Sequence, residues 1–222
     1  MDDGHGGAGP TRDLVSLYDI EAYRVDRRML DAADPLLDRA EARVLLARGR
    51  SLHGRFLLGL GAEAGELGLF ERAERLFREA GDERGQGEAT FWIGVYHQVV
   101  RRDLAAAWPH LRRAWELADR TGDKLVLSCV ERHLGFVEVM AGRPEDARGH
   151  LAASVRLRRE IDFTAGAAAG LVALAECDFT LGDEEAAREH LDEAGALAAD
   201  CGSDAVATLV DQVRRQLREQ AG

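Results

Sequence analysis

Residues 134–151 read LGFVEVMAGRPEDARGHL, and residues 174–191 read LAECDFTLGDEEAAREHL. Laid over one another, they match Gly142 to Gly182, Ala147 to Ala187, His150 to His190 and Leu151 to Leu191, a step of 40 residues each time. Another step of 40 toward the N-terminus reaches Ala107, His110 and Leu111, with Arg102 in the place of the glycine. One further step, now of 34, reaches Gly68, Ala73 and Phe77. Self-similarity at such a period marks a stacked array of supersecondary units.

Each unit resolves into two helices. Leu134, Gly135 and Val139 lie on the first; Gly142 breaks it, and Pro144 opens the second with Glu145 and Asp146 at the positive end of its dipole. The next unit repeats this with Leu174, Ala175, Gly182, then Asp183 as N-cap ahead of Glu184 and Glu185. Between units, Gly81-Asp82, Gly122-Asp123 and Gly202-Ser203 supply a terminating glycine and a capping residue, whereas the third junction carries Asp162-Phe163. Gly94, Gly135 and Ala175 on first helices, and Ala73, Ala107, Ala147 and Ala187 on second helices, allow close helix approach.

The pattern resembles the tetratricopeptide repeat family. The resemblance rests on Leu60-Gly61, Ile93-Gly94, Leu134-Gly135 and Leu174-Ala175 on first helices. On second helices it rests on Ala73/Phe77/Ala80, Ala107/Leu111/Ala114, Ala147/Leu151 and Ala187/Leu191/Ala194. The long step is similar to the helical arrays at the ends of large bacterial transcriptional activators. The family's first-helix Trp and Tyr are mostly missing, as is its closing Pro. The resemblance implies an all-α, right-handed α-α superhelix of helix pairs over residues 51–203. Around it the sequence predicts a Gly-rich disordered tail over 1–12 and two helices within 13–50 (Asp13–Ala32, then one opened by Asp34-Pro35). A capping helix is expected over 204–222.

Composition narrows the function. The 222 residues are 46% hydrophobic, enough to bury a core, and carry a formal net charge of −11. Nucleic-acid binding rests on Lys and Arg neutralising phosphates, so no nucleic acid is expected, nor an anionic membrane surface. A small local basic patch is compatible with both exclusions. Lys124 is the sole lysine among 29 basic residues, and asparagine is absent. That avoidance of AT-rich codons reads as a high-GC bacterial genome, so codon usage accounts for part of the arginine excess. The start lacks the base and apolar run of a secretory signal, and Gly166–Ala175 is far short of the roughly 20 apolar residues of a membrane span. Cys129, Cys177 and Cys201 have no CxxC spacing, so a disulfide framework is not expected and a cytoplasmic setting is.

No catalytic or metal constellation is legible. His110, His150 and His190 sit at equivalent repeat positions and so form a row, whereas zinc ligands must converge to about 2.0–2.1 Å from one ion. Glu131, Glu138, Glu176 and Asp178 suggest an acidic stripe along first helices; neither Glu131 nor Glu138 has the His three residues on that a di-iron site needs. No GxSxG, HExxH, Walker loop or strand-borne GxGxxG occurs, so neither an enzyme nor a cofactor is expected.

The resemblance implies that first helices line a concave face. Projected from Ile93, Leu134 and Leu174, its candidates are Glu88, Phe91, Val95 and Gln98; then Cys129, Arg132, Phe136 and Val139; then Val172, Glu176 and Phe179. The terminal-carboxylate clamp that some family members build from Asn and Lys is missing. The expected function is a non-catalytic interaction module. It holds a peptide or helix of a partner protein, one with basic flanks that suit the acidic rim. The alternative is a ligand- or peptide-sensing regulator acting on a separate transcriptional partner. Pro109 is expected to bend its helix. Trp108 and Trp115 beside it serve either a homodimer contact or packing between units.

Overall fold

The computed structural model describes residues 26–61 and 64–221 and, among them, nine α-helices and no strand. They are α1 (Arg27–Leu57), α2 (Glu66–Glu79), α3 (Glu83–Val95), α4 (Leu104–Thr121), α5 (Lys124–Met140), α6 (Pro144–Glu160), α7 (Thr164–Thr180), α8 (Glu184–Asp200) and α9 (Asp204–Ala221). Among the described residues no helix is long and apolar enough to cross a membrane.

Local chemistry explains the boundaries. Asp82, Asp103, Asp123 and Asp183 each accept a hydrogen bond from the backbone N–H three residues on, capping α3, α4, α5 and α8. α6 opens instead on Pro144, with Glu145 and Asp146 in its first turn. Gly142 and Gly182 close α5 and α7 at φ 74° and 81°, in the left-handed region. Arg102, in the place of that glycine, and Asp162, in the place that Gly122 and Gly202 hold between units, take the same conformation at φ 53° and 54°. There the turn overrides the side chain, at a cost of about 1–2 kcal/mol each.

Two expectations are corrected in the N-terminal quarter. No helix boundary falls at Asp34-Pro35: α1 runs through Pro35 and past Arg50 to Leu57. An interior proline removes one hydrogen bond, but Ala33, Ala42, Leu45 and Leu46 are buried along the helix and hold both halves on one course. Leu60-Gly61 then falls in the loop after α1 rather than on a first helix. A close approach is made instead by Gly49, whose missing side chain makes room for the ring of Phe70. The tail over 1–12 and the start of the helix expected from Asp13 lie outside the described residues.

The short connections fold each helix back on its predecessor, and contacts run from each helix to the next along the chain. Only six residues of α2 follow Ala73, against fourteen of α4 after Ala107, and this shortfall produces the one short step of the repeat; Gly68 falls inside α2 rather than before it. α3 widens at its end into a π turn, Tyr96–Val100, closed by Arg101 N–H donating to Tyr96 O. Cores follow in series: Leu46, Phe70, Phe77 and Ile93; then Phe91, Leu111, Val130 and Leu134; then Leu151 and Leu174; then Val172, Leu191 and Val210. α9 packs on both α7 and α8 and buries its own Val210 and Val213 against them.

Candidate functional site

α1, α3 and α5 share an open groove of about 580 Å³. Its floor is apolar, formed by Leu46, Phe77, Phe91, Trp92, Val126 and Cys129, with half-exposed Leu125 at the edge. Its walls are charged: Arg43 and Arg50 from α1, Arg84 and Glu88 from α3, and Asp82 and Asp123 from the helix starts. The carboxylates are engaged. Arg50 donates to Glu88 at 2.8 Å, Arg84 Nε donates to Asp123 at 2.6 Å, and Asp82 caps α3.

The structure divides the projected row of site residues. Glu88 and the edge of Phe91 line this groove. Val95, Gln98 and Val172 are buried, 4% exposed or less, and so belong to the interior. Val95 packs in the core with Leu111. Gln98 is locked to α5, donating through Nε2 to the His133 carbonyl and pairing through Oε1 with His133 Nδ1 at 2.6 Å. One turn beyond the groove on α5, Arg132 lies over the half-buried Phe136 ring, 4.9 Å from its centroid, and Val139 is exposed. Glu176 is exposed on α7. Phe179 lines a separate groove of about 380 Å³ between α7, α8 and α9, with Leu191, Arg188 and Leu217.

The acidic stripe is not a solvated face. Glu131, Glu138 and Asp178 are all buried and paired. Glu131 accepts from Trp115 Nε1 at 2.7 Å and pairs with His150 Nδ1 at 2.6 Å; Asp178 pairs with His190 Nδ1 at 2.7 Å; Arg143 donates to Glu138. A fourth pair, Glu66 with His53 at 2.8 Å, closes the N-terminal end. Two histidines of the row are thus hydrogen-bond partners of buried carboxylates on α5 and α7. The third, His110, stacks on His97 at 5.6 Å, and burial followed by the His97 charge lowers its pKa. The Glu131 hydrogen bond raises the His150 pKa. No sequence signal announced these pairs, because the separations (19 residues for Glu131–His150, 12 for Asp178–His190) do not follow the repeat. Trp115, set between dimer contact and internal packing, lies half-buried against the α4–α5 core, while Trp108 stays exposed.

Positive charge is less well matched. Arg158 of α6 is 5% exposed and reaches Gly166 O on α7 at 2.8 Å, with no partner for its Nε among the described residues. Arg132 Nε is likewise shielded from water and unbonded. Desolvation and then the Arg158 charge lower the Arg132 pKa. Burial, reinforced by Arg132 and Arg158, pushes His133 down to about 3. Desolvation raises the Glu176 carboxyl more than Arg132 lowers it, and no ion pair joins the two.

The buried thiol on α7 is not an activated group. Cys177 Sγ donates to Pro144 O, and burial raises its thiol pKa, the opposite of what a nucleophile needs. Among the described residues no three His, Cys, Asp or Glu side chains converge as metal ligands do.

No protein-family model matches the chain, and no curated protein matches it by sequence. Among solved structures it is similar to a crystal structure of BtubC (BKLC) from P. vanneervenii. The TM-score is 0.50 and the identity 16%, over 84% of this chain and 92% of that one. At that identity the likeness speaks for the helical fold alone.

Proposed function

We propose that this chain is a non-catalytic protein-interaction module, a right-handed superhelix of tetratricopeptide-like helix pairs that holds a peptide or helix of a partner protein. The observation that carries this reading is the open groove of about 580 Å³ shared by α1, α3 and α5, apolar along its floor and charged along its walls. Clefts of this size with an apolar lining and a few placed charges are where ligands dock. Three successive odd-numbered helices form it, as expected where first helices line the concave side of a helical array.

The test is selection of random displayed peptides on the full chain. Enriched peptides should lose binding when Cys129→Trp fills the groove and keep it when Trp108→Ala alters the outer helix α4. Peptides that bind the Cys129→Trp variant undiminished, or a selection that enriches nothing, would remove the groove from consideration.

A further inference from the structure

We infer that the segment held in this groove is acidic, its carboxylates received by Arg43 on the wall and by Arg132 one turn beyond it. This rests on the groove being a peptide site, and it concerns the chemistry of the occupant.

The argument is one of charge matching. Every carboxylate that lines the groove is engaged within the chain: Glu88 by Arg50, Asp123 by Arg84, Asp82 by the α3 backbone. Three guanidinium groups face three carboxylates, but Asp82 is also met by Arg39 from outside the lining at 4.0 Å, so one lining guanidinium is left over. Arg43 stands exposed on the wall with no hydrogen-bond or ion-pair partner among the described residues. Arg132 follows Cys129, a lining residue of the groove, by three positions, one helical turn along the same face of α5. It too has no carboxylate within ion-pair distance among the described residues, and its Nε is shielded and unbonded.

Arg158 adds an independent observation. It is 5% exposed, its Nε has no partner, and its charge bears on Arg132 and on His133. Shielded guanidinium groups without a counter-ion are costly, and the Arg158 charge adds to that cost at Arg132, so a carboxylate supplied from outside to Arg132 relieves it. Phe136 lies under the Arg132 guanidinium, 4.9 Å from ring centroid to Cζ, and helps keep it on this face of α5. The acidic rim expected from Glu88 and Glu176 does not dominate the groove itself: Glu88 is paired with Arg50, and Glu176, whose charge bears on Arg132 without an ion pair, lies outside the lining on α7. A long polyanion is disfavoured by the net charge of −11, whereas a short segment with a few carboxylates among apolar residues fits both floor and walls.

The experiment uses two fluorescein-labelled pools of synthetic 12-residue peptides, read by fluorescence polarisation on the full chain. The pools are identical in their apolar positions and carry either Asp and Glu or Lys and Arg at the rest. The acidic pool should bind about tenfold or more tightly than the basic one and weaken with added salt. Arg132→Gln should lower that affinity about tenfold, and Arg43→Gln, on the open wall, several-fold with an unchanged helical circular dichroism spectrum. If the basic pool binds as well or better and loses binding in Cys129→Trp, the groove stands and the acidic assignment is overturned. If neither pool binds, the groove reading fails and this inference with it. Arg132→Gln and Arg43→Gln both binding the acidic pool like the parent would also overturn the assignment, as would a 12-residue oligothymidine matching that pool.

Discussion

Glu131 and His150, 19 residues apart and on consecutive helices, meet at 2.6 Å, with Trp115 Nε1 on the other carboxylate oxygen at 2.7 Å. This one buried acid ties α4, α5 and α6 together, and that makes it sensitive to pH. The hydrogen bond raises the folded-state pKa of His150 above 6.5. A raised histidine pKa gives stability that is fully present below the unfolded value and is lost as pH rises through the folded one. His150→Gln should therefore lower the urea midpoint more near pH 5.5 than near pH 8.5. An equal deficit at both would show that the imidazole is not charged in the pair.

His133 acts in the opposite sense. Its folded pKa lies at about 3 against 6.5 unfolded, because burial and the charges of Arg132, Arg158 and His53 all oppose protonation. Between those values the unfolded chain takes up a proton that the folded one refuses, so stability falls on acidification, by at most about 1.4 kcal/mol per pH unit. Replacing both members of the Gln98–His133 pair by leucine removes the titrating group without orphaning its partner. That double variant should show a flatter decline of stability from pH 6.5 toward 4. A decline as steep as the parent's would assign the acid sensitivity elsewhere.

Gly135 marks the tightest point of the α5–α6 pair. A β-carbon there would stand 2.8 Å from Leu151 Cγ and 3.3 Å from the Ala147 carbonyl. Backbone cannot rotate away as a side-chain end can, so Gly135→Ala should already cost about 1–3 kcal/mol by overpacking. Gly135→Leu should cost more, and Glu145→Gln on the exposed first turn of α6 far less. Coincident urea midpoints for Gly135→Ala and Glu145→Gln would contradict this packing.

Arg102 stands where the repeat has Gly142 and Gly182, and it holds their left-handed turn at φ 53°. Glycine there is freed of the side-chain clash while adding entropy to the unfolded chain, so the two effects partly cancel. Arg102→Gly should raise stability by about 0.5–1 kcal/mol in equilibrium unfolding. A loss of stability would mean that the arginine makes contacts that outweigh its strained backbone.

How far the sequence carried can be seen at particular residues. The 40-residue period located α5 to α8 almost to the residue, because Gly142, Pro144, Gly182 and Asp183 act locally and need no tertiary context. It failed at Asp34-Pro35, where the local signal for a helix start is the same whether or not packing carries the helix onward. The candidate site was legible as a face and misread in its register and charge. Gln98 projected outward until the π turn and the bond to His133 set it inward. Glu131 and Asp178 read as surface because isolated carboxylates belong in water. Only the fold reveals the histidines that make their burial tolerable.

That correction changes how the binding face should be probed. Trp115 would serve as the outer-surface control for Phe136, but its Nε1 bond to Glu131 makes truncation destabilising in its own right. Trp108, on α4 and 36% exposed, is the sounder control. Phe136 lies under Arg132 and beyond the end of the groove, so its ring both supplies apolar area and packs against the guanidinium. Aromatic anchors of this kind typically lose about 2 kcal/mol or more of binding on truncation. Phe136→Ala should weaken capture of groove-selected peptides by that amount, Phe136→Leu by part of it, and Trp108→Ala hardly at all, each compared at equal folded fraction. If Trp108→Ala abolishes binding while Phe136→Ala preserves it, peptides dock on the outer helices, and the groove between α1, α3 and α5 has some other role.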